Sequence, residues 1–132
     1  SFAKPEIKLG FPPPFGGTQR LPRLIGRKRA MHMILTAEPV SAATAMEMGL
    51  VNKVVAHERL LEEARHLASN IIAKPPLAVS ACLASVTRGL NVAIGEGLEI
   101  EASCFAQTVP TRDLLEGIDA FIEKRPAQFV GA

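Results

Sequence analysis

Glu6 is the residue whose neighbours in the sequence point most directly to chemistry. It lies in the stretch PEIKLGFPPPFGG, residues 5–17, between a proline and a short apolar run. A carboxylate among apolar side chains can act as a general acid or base, because desolvation raises its pKa. The pattern alone favours an ordinary surface glutamate, since no second carboxylate stands beside Glu6. The candidate desolvating neighbours are Phe2, Ile7, Leu9, Phe11 and Phe15.

A rigid turn separates Glu6 from the first predicted helix. Consecutive prolines lack N–H donors, so the segment Gly10–Pro14 cannot continue the extended stretch predicted for Ile7–Leu9. The pair Gly16–Gly17 allows close approach of the backbone, and Thr18 opens a segment with helical periodicity. The sequence therefore predicts that Glu6 lies near a helix N-terminus, whose amides can face an anion or a polarised oxygen. A Gly-Gly turn before a helix is nevertheless common, and no Walker-type lysine follows it.

Composition excludes several classes of protein. Of the 132 residues 48% are hydrophobic and 21% are charged, and the net charge is +2. This balance is typical of a globular chain of at most one domain. A basic cluster follows the glycine pair, but no aromatic residues alternate with its charges, so a solvated helix face is favoured over a phosphate contact. We expect no nucleic-acid partner. The cluster consists of Arg20, Arg23, Arg27, Lys28 and Arg29.

The remaining candidate ligands give no site. Cys82 and Cys104 are flanked by apolar residues at helical spacing, which predicts reduced core thiols in a reducing compartment. His32, His57 and His66 are too far apart for a zinc site, so we expect no metal. No apolar run has the length of a membrane span and no signal-peptide pattern opens the chain, so we expect no membrane partner and a cytoplasmic location.

Periodicity predicts a mainly α fold with one or two short β-strands. The second β-like run is Leu50–Val55, which is rich in branched residues and predicts a buried strand. Strand-like residues without partners, and the absence of an initiator methionine, indicate a piece of a longer protein. The organisation divides into a mixed segment, residues 1–57, and a helical segment, residues 58–132. Proline and glycine delimit the predicted helices at 18–25, 27–35, 42–48, 60–72, 77–88, 94–109 and 112–125.

Longer motifs run along the chain: PEIKLG, GGTQRLPRLIG, MGLVNKVV, LLEEA, PPLAV and EGIDAFIEKR. Together they resemble the crotonase superfamily, the enoyl-CoA hydratases and isomerases. The resemblance covers essentially the whole sequence and corresponds to the C-terminal half of that family's chain. It implies that residues 1–57 are the end of the α/β crotonase core, a ββα spiral. Residues 58–132 would then be the family's helical trimerisation region.

The resemblance also implies roles for individual residues. Glu6, the glutamate of PEI, would be the catalytic acid–base residue, moving a proton at the α-carbon of a thioester while two backbone amides stabilise the enolate oxygen. Hydratases use a second, upstream glutamate, whereas several isomerases manage with one. That second position and both amides would precede residue 1, so residues 1–132 alone are expected to be inactive.

The loop after Glu6 departs from the family pattern. Pro14, Gly16 and Gly17 match the active-site loop, but the chain has PPFGG where hydratases usually have PGAGG or PGFGG. Pro14 has no N–H with which to hold the catalytic water. Hydration of a 2-enoyl-CoA is the leading expectation, with isomerisation or another crotonase-family reaction as the enzymatic alternative.

The helical region would contact coenzyme A and other subunits. Phe105, Phe121 and Lys124 match positions near the adenine and phosphate parts of CoA. Core packing is an equal alternative for the two phenylalanines, and a helix C-terminus also favours a lysine. The resemblance implies an acyl-CoA thioester substrate, a homotrimer or hexamer, no separate cofactor, since CoA is part of the substrate, and a place in fatty-acid metabolism such as β-oxidation. A non-catalytic helical oligomerisation module is the alternative from another class.

Overall fold

The computed structural model describes all residues, 1–132, and is mostly helical. The chain forms seven α-helices and two short 3₁₀ helices. The 3₁₀ helices are Pro5–Leu9 and His57–Arg59. The α-helix bounds differ by at most two residues from the predicted ones, which confirms the mainly α prediction. The chain divides into two compact units, Ser1–Arg59 and Leu60–Ala132. The helices are α1 (Gly17–Ile25), α2 (Arg27–Thr36), α3 (Ala42–Glu47), α4 (Leu60–Ile72), α5 (Pro76–Gly89), α6 (Ile94–Thr108) and α7 (Arg112–Glu123).

No β-strand forms within residues 1–132. Ile7–Leu9, predicted to be extended, belongs to the 3₁₀ helix Pro5–Leu9, and Leu50–Val55 has irregular backbone. The only sheet-like pairing is an isolated antiparallel bridge, in which Phe2 and Val40 exchange N–H···O bonds of 2.9 and 2.8 Å. A strand requires a neighbour for its N–H and C=O groups, and neither predicted segment has one here. The prediction of one or two strands is therefore wrong for this chain.

The core of the first unit lies at the packing of α1 against α2. Gly26, with φ +82°, joins these two helices and allows the chain to turn within one residue. Ser41 caps α3 as predicted, because its Oγ accepts a hydrogen bond from the Thr44 N–H at 3.0 Å. The buried residues of this core cluster are Ile25, Ala30 and Met33, with Leu21, Val40, Met48 and Leu50 packed against them.

In the second unit α5 packs on α6 at close range. A Cβ atom on Gly97 would lie 3.4 Å from the carbonyl oxygen of Gly89, so small residues allow the approach. Thr111 caps α7 as predicted, its Oγ1 accepting from the Leu114 N–H at 3.2 Å.

The cysteines of the second unit differ in their burial. Both are free thiols; Cys104 is buried, whereas Cys82 is exposed. The predicted core position is therefore confirmed for Cys104 and wrong for Cys82, because Cys82 lines an open groove along α5 and α6.

The apolar faces predicted to be buried on α4 and α7 are exposed. Helix α4 has no buried residue, and α7 buries only Asp113 and Ala120. The chain exposes 10058 Å², whereas a folded monomer of 14.1 kDa exposes about 6,700 Å². Local periodicity identified the apolar faces correctly, but nothing in residues 1–132 covers them.

Two further features follow from the helices and side chains. No single helix has both the length and the apolar composition of a membrane span, and His57–Ile72 with Pro76–Gly89 reach them only as a pair bent by 106°. No three histidine, cysteine or carboxylate side chains lie close enough together to hold a metal ion.

Candidate active site

The two carboxylate oxygens of Glu6 have different surroundings. Glu6 lies in the first turn of the 3₁₀ helix Pro5–Leu9, and its Oε1 is 3.0 Å from the Nζ of Lys4. Its Oε2 is shielded from solvent and accepts no hydrogen bond. The side chains of Glu6 and Lys4 are 21% and 28% exposed, so this ion pair is less screened than one on the open surface. Lys4 thus holds Oε1, whereas Oε2 has no hydrogen-bond partner that would compete with a proton.

The pKa of Glu6 lies below its usual value. Its own backbone N–H has the largest effect, followed by the hydrogen bond from Lys4, and together they outweigh burial, which raises the pKa. The raised pKa that apolar neighbours could have caused is therefore not found, and the favoured alternative of an ordinary glutamate agrees better with this direction. The apolar neighbours desolvate the carboxylate only weakly, since their exposure ranges from 39% at Ile7 to 90% at Phe15. Glu6 is ionised at neutral pH and is a base in its resting form.

Gly17 permits Lys4 to reach its position. A Cβ atom on Gly17 would lie 2.7 Å from the Cβ of Pro13 and 3.1 Å from the Nζ of Lys4. The Lys4 ammonium therefore lies against the first residue of α1, where any larger side chain would displace it. Because the same ammonium binds Glu6, the structure brings Glu6, Lys4 and Gly17 together at the N-terminus of α1. Sequence reasoning missed Lys4, although a cation two residues before Glu6 was visible in KPE.

Left-handed backbone shapes the rest of the loop. Phe15 and Gly16 have φ +55° and +83°, and Gly16 is the N-cap residue of α1. The Pro14 carbonyl accepts from the Gly17 N–H at 3.1 Å, and the Phe15 carbonyl accepts from Arg20 Nη2 at 2.6 Å. The loop is thus closed by its own backbone and tied to α1. It offers no N–H at Pro14.

Three members of the basic cluster have structural partners within the first unit. Besides Arg20, Arg23 donates to the Gln19 carbonyl at 2.9 Å and Arg29 donates to the Met48 carbonyl at 3.3 Å. These contacts agree with the favoured interpretation of the cluster as a solvated helix face.

The residues matched to CoA contacts lie in the second unit and do not share one pocket. Phe105 is 64% exposed and lines a groove along α5 and α6, whereas Phe121 is 85% exposed and borders an apolar cavity of about 440 Å³. Lys124 is the C-cap residue of α7, with φ +55°. Neither phenylalanine is buried within residues 1–132.

Comparison with known proteins gives consistent matches along the whole chain. Residues 1–132 match the family model described as enoyl-CoA hydratase/isomerase. The crotonyl-CoA hydratase of Syntrophomonas wolfei is 44% identical over 129 residues, which are 98% of this chain and 50% of that protein. The short-chain-enoyl-CoA hydratase of Clostridium acetobutylicum is 40% identical over 124 residues, 94% of this chain and 48% of that protein.

Solved structures show the same relationship. The crystal structure of an enoyl-CoA hydratase from Bacillus anthracis matches with a TM-score of 0.93 at 40% identity, covering 97% of this chain and 50% of that one. The chain spans about half the length of the curated relatives it matches. Its helices and loops thus reproduce about half of a crotonase fold, which confirms the resemblance seen in the motifs. The chain belongs to the enoyl-CoA hydratase/isomerase family.

Proposed function

We propose that the protein carrying this chain is an enoyl-CoA hydratase, which adds water across the double bond of a 2-enoyl-CoA thioester with Glu6 as the acid–base residue. The observation that carries the proposal is the shielded and partner-free Oε2 of Glu6, beside an Oε1 held by Lys4. Support also comes from relatives named crotonyl-CoA hydratase and short-chain-enoyl-CoA hydratase. No separate cofactor takes part, because CoA belongs to the substrate.

Hydration places a hydroxyl group on the β-carbon and a proton on the α-carbon. Glu6 is ionised at neutral pH, so its Oε2 can accept a proton from the attacking water, which the second, upstream glutamate of the family's hydratases would orient. The water oxygen bonds to the β-carbon as the double bond becomes an enolate, and Glu6 then gives the same proton to the α-carbon. One water is added in total, and Glu6 returns to its ionised form.

The enolate oxygen formed between these steps requires hydrogen-bond donors. We assign them, as in the family, to two backbone amides outside residues 1–132. Loss of a single such donor commonly costs about 3–4 kcal/mol of transition-state stabilisation. We therefore expect no turnover from these 132 residues on their own.

The second unit has the proposed CoA and subunit contacts. The exposed rings of Phe105 and Phe121 are available for the adenine part, and Lys124 supplies the positive charge that a phosphate requires. The exposed apolar faces of α4 and α7 support assembly into trimers or hexamers, because large apolar patches mark interaction surfaces. The free thiols support a reducing, cytoplasmic location, and the substrate class supports a part in fatty-acid β-oxidation.

A second candidate function is enoyl-CoA isomerisation, or another crotonase-family reaction that needs one carboxylate. Pro14 favours it, because proline removes the amide that holds the catalytic water in typical hydratases. An ionised Glu6 with one free oxygen suffices to take a proton from one carbon and return it to another. The exposed helix faces also leave the non-catalytic oligomerisation module as a third candidate.

The test is the loss of enoyl-thioester absorbance when crotonyl-CoA is mixed with the whole protein. Glu6→Gln is measured beside it, with Glu47→Gln as a matched control on an exposed residue of α3. We expect rapid loss in the wild-type protein and in Glu47→Gln, and none in Glu6→Gln. Binding of the CoA ester without loss of absorbance would favour isomerisation. If the protein forms oligomers but binds no CoA ester, the result would favour the non-catalytic oligomerisation module.

A further inference from the structure

We propose that Lys4 is the positioning residue for Glu6: it holds Oε1 and thereby makes Oε2 the oxygen that carries the proton. This inference rests on the proposed role of Glu6 and deepens it. The contact is direct, with 3.0 Å between Lys4 Nζ and Glu6 Oε1, whereas Oε2 is shielded from solvent and accepts no hydrogen bond. The two oxygens of one carboxylate are therefore not interchangeable in this protein.

The backbone and Gly17 hold Lys4 in place. Lys4 is the N-cap residue of the 3₁₀ helix, and Pro5 disfavours helical geometry at the residue before it; Lys4 has φ −125° and ψ 78°. Its ammonium lies 3.1 Å from the position that a Cβ atom on Gly17 would occupy. The lysine is thus confined between Glu6 and the start of α1, and its side chain is only 28% exposed.

The other charged groups on the neighbouring elements do not form the ion pair with Glu6. On α1, Arg20 and Arg23 donate to backbone carbonyls, and on α2, which packs against the 3₁₀ helix, Arg29 does the same. His32 lies 3.7 Å from Glu38. Arg27, Lys28 and Lys8 are exposed, and Lys8 is two residues after Glu6 in the same 3₁₀ helix. Lys4 is the cation that forms the ion pair with Glu6.

Two functional consequences follow from this contact. The ion pair stops rotation of the carboxylate, so Oε2 presents a fixed lone pair, and positioning of this kind lowers the entropic cost of proton transfer. It also favours the charged form of Glu6, so that the base form is available at neutral pH.

The experiment compares Lys4→Gln, Lys4→Arg and Lys8→Gln in the whole protein. Lys8→Gln is the matched control, since it removes one positive charge from the same 3₁₀ helix. The first readout is a carbon-13 NMR titration of the Glu6 carboxyl carbon, assigned with Glu6→Gln. We expect Lys4→Gln to raise the titration midpoint, while Lys4→Arg and Lys8→Gln keep that of the wild-type protein.

The second readout is the pH dependence of crotonyl-CoA hydration. In Lys4→Gln we expect the acidic limb of kcat to move to higher pH and kcat to fall about tenfold, with KM unchanged, because positioning of Glu6 acts on the chemical step. Lys4→Arg should keep the wild-type position of the acidic limb and the wild-type kcat. A merely structural lysine would alter the melting temperature but not the pH profile.

The outcomes separate this inference from the proposed function. An unchanged Glu6 titration and an unchanged kcat profile in Lys4→Gln, with Glu6→Gln inactive, would overturn the role of Lys4 and leave the hydratase proposal intact. A wild-type protein that does not consume crotonyl-CoA, but whose Glu6 midpoint rises in Lys4→Gln, would remove the hydratase proposal and support control of Glu6 by Lys4.

Discussion

Arg125 forms a two-point contact with Glu116. Its Nη1 donates to Oε1 at 2.7 Å and its Nη2 donates to Oε2 at 2.9 Å, a parallel geometry that is stronger and more directional than a single contact. The backbone N–H of Gln128 donates to the same Oε1 at 2.7 Å. A glutamate in the middle of α7 therefore fixes the segment that follows the helix.

The Glu116–Arg125 pair predicts a pH-dependent stability. The Arg125 hydrogen bonds, and then that of Gln128, lower the pKa of Glu116 from 4.5 to about 2. A depressed folded-state pKa stabilises the protein above pH 4.5, and this stabilisation is lost as the pH falls toward about 2. We expect Glu116→Gln to lower the melting temperature at pH 7, with a difference from the wild-type protein that shrinks below pH 4.5 in thermal scans.

The matched control for that experiment is Glu123→Gln. Glu123 also accepts from Arg125, at 2.6 Å, but its side chain is 60% exposed against 24% for Glu116. Greater screening by solvent makes its contact weaker, so its loss should have the smaller effect. A melting-temperature difference for Glu116→Gln that stays constant from pH 7 to pH 2 would contradict the assigned role of the carboxylate.

The buried carboxylate of Asp113 holds the C-terminal tail in place. It is 2% exposed, and its two oxygens accept from the N–H groups of Val130 at 2.7 Å and Gly131 at 2.9 Å. Asp113→Ala leaves both donors without a partner, and we expect a loss of about 1–3 kcal/mol in unfolding free energy. Denaturant unfolding measures this loss, and amide exchange at Val130 and Gly131 should become fast. Asp119→Ala, on an exposed position of α7, should change neither measurement.

Lys124 predicts opposite effects on stability and on ligand binding. It ends α7 in the left-handed conformation, with φ +55°, which costs a residue other than glycine about 1 kcal/mol. We expect Lys124→Gly to raise the unfolding free energy by about that amount, yet to weaken CoA binding by the whole protein in calorimetric titration. Lys124→Arg keeps both the charge and the strain, so neither quantity should change much. Undiminished CoA binding in Lys124→Gly would remove this residue from the proposed CoA site.

Two glycines predict opposite responses to alanine. A Cβ atom on Gly17 would lie 2.7 Å from Pro13 and 3.1 Å from the Lys4 ammonium, whereas one on Gly95 would meet nothing within 4 Å. We expect Gly17→Ala to destabilise the protein and to raise the titration midpoint of Glu6, because it displaces Lys4. Gly95→Ala should stabilise α6 by about 0.4–1 kcal/mol, since it reduces the freedom of the unfolded chain. Equal effects in thermal unfolding would contradict the close contact at Gly17.

The sequence by itself determined the helices, their caps and the family. Prolines and glycines act on their immediate neighbours, so α4 could be predicted to end just before KPP, and Ser41 and Thr111 could be predicted as caps. The motifs along the chain, from PEIKLG to EGIDAFIEKR, were sufficient to recognise the family. These properties depend on residues within about one helical turn, and such residues are adjacent in the sequence.

Only the tertiary structure decided which groups meet. Leu50–Val55 has the composition of a strand, but pairing requires a neighbour that residues 1–132 do not provide, so the segment is irregular. The apolar residues around Glu6 left a raised pKa possible, but the pKa is lowered, because the backbone N–H of Glu6 and Lys4 act on the carboxylate while the nearby aromatic rings stay at least 40% exposed. Composition lists the neighbours in the chain, but distance and burial decide which of them act on a charge.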